Sequence, residues 1–251
     1  MIAESLLTPD PIMFTYPLAP LSEAQIERFY IDGYIVAEKL VPPAAIDAVL
    51  KEAITVPVSA GGNWTPKTFK PDEPLQEAAL HRLLIEPSLV AAVEQIFEAP
   101  ARVYYGMLAI VPAHGGTGLA WHQDNQYDFV SGRALNAFIA LCDITPDKAI
   151  LWVAPGSHLK GVVESTTPDG HHHAAAPANG VALPTLRKGD ACLFDRTTLH
   201  HSKQNHTSEH RYAYAAQYQE ANARSVKQGG KKDPRKMLVS ELRALWLPLL
   251  S

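Results

Sequence analysis

Trp121-His122-Gln123-Asp124 places an imidazole and a carboxylate two residues apart. On a β-strand such residues share a face, with Cα atoms about 7 Å apart, so both can converge on one metal ion. A second imidazole comes much later, in Leu199-His200-His201-Ser202-Lys203-Gln204-Asn205. Two imidazoles and one carboxylate are the facial donor set that selects non-haem Fe(II) and leaves positions open for a cosubstrate and dioxygen. A His-x-Asp by itself also describes a hydrogen-bonded surface pair, so the assignment rests on the second half. The same three side chains could instead hold zinc with an activated water, as a hydrolase does.

Arg211 opens the alternating run Arg-Tyr-Ala-Tyr-Ala-Ala-Gln-Tyr. On a strand, Arg211, Ala213, Ala215 and Gln217 share one face, and Tyr212, Tyr214, Ala216 and Tyr218 the other. A guanidinium among alanines suits a narrow cavity that receives a carboxylate, because small neighbours leave room and the fork binds two oxygens. The competing reading is an arginine salt-bridged on a sheet surface. The other histidines carry less. His171-His172-His173 lies in a Pro/Gly/Ala-rich stretch, and adjacent residues of an extended chain cannot all face one ion, so an exposed loop is expected rather than a second metal site. His158 belongs to a turn. His81, His114, His206 and His210 are read as surface or supporting groups, with His114 close enough to the metal strand to line its mouth.

The elements that must position these groups change character along the chain. Ser22-Glu23-Ala24-Gln25 fits a capping box, with Gly33 at the helix end. Tyr34–Glu38 reads as a strand, and Pro42-Pro43 opens a second helix bearing Ile46, Val49 and Leu50. Helical patterns follow at Leu75–Ile85 and Pro87–Phe97, after a long loop around Trp64. From Arg102 the period becomes that of strands: Arg102–Val111, Leu135–Leu141, Ile150–Val153, Ala191–Phe194 and Arg211–Tyr218. Leu238–Leu250 reads as a closing helix. The expected fold is mainly β with flanking helices, a jelly roll (double-stranded β-helix, cupin-like). One domain spans 1–251: a helical part at about 21–99, the jelly-roll core at about 101–220, and a basic loop with a helix at 224–250.

Composition sets the outer bounds. The chain has 251 residues, 47% hydrophobic and 19% charged, with 11 histidines and 2 cysteines, enough for a sizeable core and not for a disulfide framework. A net charge of −4 argues against nucleic-acid binding. No apolar run reaches the roughly 20 residues that cross a membrane, and the start, MIAESLLTPDPIMF, lacks a signal-peptide pattern. A cytoplasmic address is expected. Charge is uneven, however: Arg224 to Lys236 is strongly basic, either a solvated loop or a lip that attracts an anionic substrate. Oligomeric state leaves no mark in the sequence.

Taken in order, the motifs resemble the phytanoyl-CoA dioxygenase family of Fe(II)/2-oxoglutarate-dependent oxygenases. The resemblance runs through Leu21–Tyr34 with its Asp32-Gly33-Tyr34 ending, Trp121-His-Gln-Asp124, Phe138-Ile-Ala-Leu141, Val153-Ala-Pro-Gly-Ser-His158, Lys188-Gly-Asp190 and His200-x-Ser202-x-x-Asn205, then Arg211. It implies that His122, Asp124 and His200 are the metal ligands. It implies that Arg211 pairs with the distal carboxylate of 2-oxoglutarate, that Ser202 supports it, and that Tyr105 falls near a position touching the cosubstrate. Two departures stand out. The family often has Gly where His201 stands, and His201 should face away from the metal; Asp147-Lys148-Ala149 replaces a turn that usually carries Asn-Gly. The implied cofactors are Fe(II), 2-oxoglutarate and O2, and the implied reaction is hydroxylation of a small molecule, with release of succinate and CO2. The presence of Asp124 favours hydroxylation over halogenation. Desaturation, cyclisation or epimerisation at the same site, a zinc hydrolase, and a non-catalytic jelly-roll binding protein are the alternatives.

Overall fold

The Ser22 hydroxyl accepts a hydrogen bond from Gln25 N at 3.3 Å, while the Gln25 side chain accepts from Ser22 N at 3.0 Å. This reciprocal cap, worth about 1 kcal/mol, starts α1 (Glu23–Asp32) where the sequence placed it. Gly33 ends α1 in the left-handed region at φ 80°, and a Cβ there would strike His158 and Thr198. In this computed structural model the described residues are 20–58, 68–69, 78–225 and 237–249. The loop around Trp64 and the basic stretch from 226 to 236 therefore lie outside the described residues.

β1 (Tyr34–Ala37) follows α1 directly. α2 (Pro43–Ala53) begins at proline, whose fixed φ and missing N–H suit a first helical position. β2 (Thr68–Phe69), α3 (Ala78–Leu84) and α4 (Pro87–Phe97) complete the helical part. Strands then succeed one another: β3 (Ala101–Val111), β4 (Leu119–His122), β5 (Val130–Ser131), β6 (Ala134–Ala140) and β7 (Leu151–Val153). A small hairpin pairs β8 (Ser165–Thr166) with β9 (His173–Ala174). β10 (Val181–Ala182), β11 (Ala191–Asp195), β12 (His200–Ser202), β13 (Arg211–Glu220) and β14 (Arg224–Ser225) come next. α5 (Val239–Trp246) closes the chain and gives way to a 3-10 turn at Leu247–Leu249, because Pro248 cannot supply the N–H of a continuing helix. No helix among the described residues is long and apolar enough to cross a membrane.

The strands form two antiparallel sheets, one ordered β1-β11-β6-β13-β3-β2 and the other β10-β7-β12-β4, as a jelly roll requires. Strand alternation divides the core in two. Leu135, Ala137, Ile139, Tyr214, Ala216 and Tyr218 pack with the helices in one hydrophobic cluster. Phe138, Ala140, Cys192, Phe194 and Ala213 turn the other way and meet Leu151 and Val153 of the smaller sheet. All seven residues of β6 are buried, since both of its faces are covered. Its single polar side chain, Asn136, faces the space between the sheets, where the site lies.

Candidate metal centre

β4 and β12 are antiparallel neighbours, and in their register His122 stands directly opposite His200. Cross-strand partners of this kind project side by side, and the two ring centroids are 4.2 Å apart. Gly118, left-handed at φ 72°, allows the approach: a Cβ there would lie 2.2 Å from the Ser202 carbonyl oxygen. Asp124 arrives differently from the sequence expectation. β4 ends at His122, and Asp124 begins a 3-10 turn, so the two residues do not share a strand face. Buried Gln123 fixes the turn between them. Its amide donates to Gly161 O at 2.9 Å and Thr197 O at 2.5 Å, and its Oε1 accepts from Val163 N at 2.8 Å. The turn delivers Asp124 Oδ1 to 3.7 Å from His122 Nε2 and 3.8 Å from His200 Nε2. The three ligand atoms lie within 4.8 Å of one another, and no other such group occurs among the described residues.

Both imidazoles are set in the tautomer a metal needs. His122 Nδ1 lies 2.7 Å from Ala120 O, and His200 Nδ1 lies 3.0 Å from Thr198 O. A carbonyl only accepts, so each Nδ1 carries a hydrogen and each Nε2 is turned to Asp124. Burial, helped by the neighbouring His200, pushes the His122 pKa down to about 3, so the ring is neutral at physiological pH. Burial alone would raise the Asp124 pKa. His200, His122, the Arg196 guanidinium and the Asn136 amide together outweigh it and hold the carboxyl ionised.

Asn136, Gln217 and Arg196 form a support that sequence reasoning missed. The Asn136 amide donates to Asp124 Oδ2, and Gln217 Nε2 donates to the same oxygen at 3.2 Å. Arg196 Nη1 donates to Gln217 Oε1 at 2.7 Å and Nη2 to Asp124 O at 3.0 Å. With Oδ2 engaged by two amides, Oδ1 is the oxygen presented to a metal. Just after Gln217 the register of β13 against β3 slips by one residue, a bulge that re-aims the strand beside the site. The readable signals were a lone polar residue in the apolar run Leu135–Leu141 and Gln217 on the Arg211 face. Asn136→Ala should weaken Fe(II) binding roughly 10–100-fold, as losing an outer partner of a ligand does; anaerobic metal titration measures it.

A pocket of about 80 Å³ adjoins the three side chains, walled by Met107, Phe138, Phe194, Ser202 and Ala215 among others. Ser202 Oγ is buried with no hydrogen-bond partner among the described residues. Arg211 is fully buried beside this pocket rather than among its lining residues. Its Nη1 donates to Ala149 O at 3.0 Å, and the guanidinium carbon is 5.3 Å from the centre of the Phe138 ring. Ala149 takes φ 52°, so it adopts the left-handed turn geometry in which glycine is usual. Tyr105 pairs in register with Gln217, but its side chain lies outside the described part of the structure.

His201 faces the other way, as its strand position dictates, with its ring 4.2 Å from that of Trp121 and 5.5 Å from that of Trp152. The His171–His173 stretch is more than an exposed loop. His172 N donates to Tyr127 Oη at 3.1 Å, the two rings stack edge-on at 4.6 Å, and His171 and His173 line an outer cavity together with His206. His114 lines neither cavity described here. His158 Nε2 lies 3.1 Å from Tyr30 O, a structural contact between the turn and α1.

The phytanoyl-CoA dioxygenase (PhyH) family profile matches residues 29–213, most of the chain and all of the site. The chain belongs to the phytanoyl-CoA dioxygenase family. As a member it is an iron- and 2-oxoglutarate-dependent dioxygenase, and the donor set fits that metal: two imidazoles and one carboxylate, without thiolate. L-proline trans-4-hydroxylase of Streptomyces griseoviridis is 29% identical over 52% of this chain and 59% of that protein. Ectoine dioxygenase of Sphingopyxis alaskensis is 26% identical over 86% of this chain and 82% of its own length. Among solved structures, the epimerase SnoN in complex with Fe3+, alpha-ketoglutarate and nogalamycin RO shares the fold. It superposes with a TM-score of 0.66 at 24% identity, covering 80% of this chain and 84% of its own.

Proposed function

We propose that this dioxygenase hydroxylates an unactivated C–H bond of a small substrate carrying a negative charge. One 2-oxoglutarate and one O2 are consumed, and the alcohol, succinate and CO2 are released. The observation that carries the reading is the cross-strand pair His122 and His200, both with Nδ1 tied to carbonyls and Nε2 turned to Asp124 Oδ1. His122, Asp124 and His200 hold the metal. Arg211 receives the distal carboxylate of 2-oxoglutarate, and the Ser202 hydroxyl, otherwise without a described partner, hydrogen-bonds to it. Bound iron supplies dioxygen activation and hydrogen abstraction. The chain supplies orientation, and Phe138, Phe194 and Met107 keep water from the pocket.

A zinc hydrolase would use the three ligands and leave Arg211 and Ser202 without a role. The charge on the substrate is supported by the chemistry of L-proline and ectoine, which both carry a carboxylate and give their names to the relatives' activities. The same reading takes the whole chain as one catalytic domain without a nucleic-acid partner. It places the protein in the cytoplasm, in keeping with Cys142 and Cys192 both being free thiols. Anaerobic addition of Fe(II) and 2-oxoglutarate should produce a visible metal-to-ligand charge-transfer band, and admission of O2 should release succinate. Absence of the band, with tight retention of zinc, would overturn the reading.

A further inference from the structure

The side-chain amide of Asn136 is only half engaged. Asn136 is buried on β6 and lines the same pocket as His122, Asp124 and His200. Chemistry fixes its orientation. The ionised Asp124 carboxylate only accepts, so the atom turned to its Oδ2 is the Nδ2 donor, and Oδ1 is left for another partner. That Oδ1 is buried and has no hydrogen-bond partner among the described residues. A buried acceptor left unpaired is destabilising, so such an atom points to a ligand or an ordered water.

The walls supply no donor for it. Gln217, the cross-strand neighbour of Asn136, engages both ends of its own amide, Nε2 on Asp124 Oδ2 at 3.2 Å and Oε1 on Arg196 Nη1 at 2.7 Å. The Nδ1 hydrogens of His122 and His200 are taken by Ala120 O and Thr198 O. Met107, Phe138, Leu151, Phe194 and Ala215 carry no donor on their side chains, and the Ser202 hydroxyl makes no bond to Asn136. The cosubstrate cannot serve either, because 2-oxoglutarate as a dianion offers only acceptors. The partner must bring its own hydrogen. Three protein ligands and a chelating 2-oxo acid leave one position of an octahedral metal, which water takes in the absence of substrate. The pocket of about 80 Å³ has room for that water.

We propose that Asn136 is a positioning residue whose Oδ1 accepts a hydrogen bond from the water on the metal, while its Nδ2 holds Asp124. By linking ligand and water, Asn136 keeps the last position filled until substrate displaces the water. It thereby restrains consumption of 2-oxoglutarate and O2 when no substrate is bound. This assignment rests on the oxygenase reading above.

The test uses the protein saturated with Co(II) and 2-oxoglutarate, because the visible bands of Co(II) are weak in six-coordination and stronger in five-coordination. The wild-type protein should show the weak six-coordinate bands. Asn136→Leu keeps the branching of asparagine without its polar atoms, and should show the stronger five-coordinate bands. In the Fe(II) protein without substrate, the same change should raise O2 consumption roughly 2- to 10-fold, the shift that one lost hydrogen bond supports. Asn136→Val, whose branching suits a strand, gives the same reading should leucine not fold.

Gln217→Met is the control. It removes a donor to the same Asp124 oxygen and leaves Asn136 Oδ1 in place, so its Co(II) spectrum should stay six-coordinate. Five-coordinate bands in both variants would show that the effect runs through Asp124, and the assignment would fall. Six-coordinate bands in Asn136→Leu, or five-coordinate bands already in the wild type, would overturn it as well and leave Oδ1 to a hydrogen of the substrate. Failure of the oxygenase reading registers separately, as a wild-type Co(II) spectrum that does not respond to 2-oxoglutarate.

Discussion

His200→Ala should abolish Fe(II) binding and succinate release, while His201→Ala keeps both. The two imidazoles are adjacent in sequence and opposite in environment. His200 is buried, stands opposite His122, and turns Nε2 to within 3.8 Å of Asp124 Oδ1. His201 lies on the outer face between two tryptophans, where burial and the nearby Lys203 push its pKa down to about 4, leaving it a neutral ring in a stack. Removing an outer partner of a metal ligand costs roughly 10–100-fold in affinity, so removing the ligand itself should cost more than that. His201→Ala removes ring packing and should cost about 1 kcal/mol of stability, the scale of an aromatic pair. Anaerobic Fe(II) titration and succinate release separate the variants. Iron binding that survives His200→Ala and fails in His201→Ala would move the ligand by one residue. Thermal unfolding of the metal-free proteins guards against misfolding: the β4–β12 pairing is made by backbone, so both variants should unfold cooperatively.

Much of this arrangement was legible because local signals and tertiary structure agree. The Ser22 cap, the Gly33 stop, the proline-opened helices and the long strands at Ala101–Val111 and Arg211–Glu220 all sit within a residue or two of their expected positions. The alternation after Arg211 correctly divided Tyr214 and Tyr218 from Ala213 and Ala215. What escaped the sequence depends on register and on turns. His122 meets His200 through cross-strand pairing, which no local spacing encodes, and Asp124 joins them because Gln123 is held by carbonyls of two distant loops. A same-face strand pair would have brought the same donors together, so the expectation named three residues that the fold does cluster, through a different geometry. Arg196 escaped because it sits in a connection after β11, where only tertiary packing shows it reaching Gln217 and the Asp124 backbone. The three-histidine run escaped because a short hairpin leaves almost no periodic signal, and its seat on Tyr127 is a long-range contact.

Arg211→Met should weaken 2-oxoglutarate binding at least 100-fold while leaving the metal-free protein as stable as before, or more so. The guanidinium is fully buried, and burial pushes its pKa down to about 10, so it stays cationic at neutral pH at an energetic cost to the fold. Replacing a buried charge with an apolar side chain of similar length is often neutral or stabilising by about 1–4 kcal/mol. Methionine keeps the length and flexes to fill the space against Phe138. The stability readout therefore moves in one direction and the cosubstrate readout in the other, a split that an arginine retained only for packing would not produce. Arg211→Lys should be milder, raising the apparent KM for 2-oxoglutarate about tenfold, because a point charge replaces a two-pronged donor. The charge-transfer band titrated against 2-oxoglutarate gives the affinity, and thermal unfolding of the metal-free variants gives the stability. Unchanged 2-oxoglutarate affinity in Arg211→Met would remove Arg211 from the site, and the carboxylate would then have to be held from the Ser202 side alone.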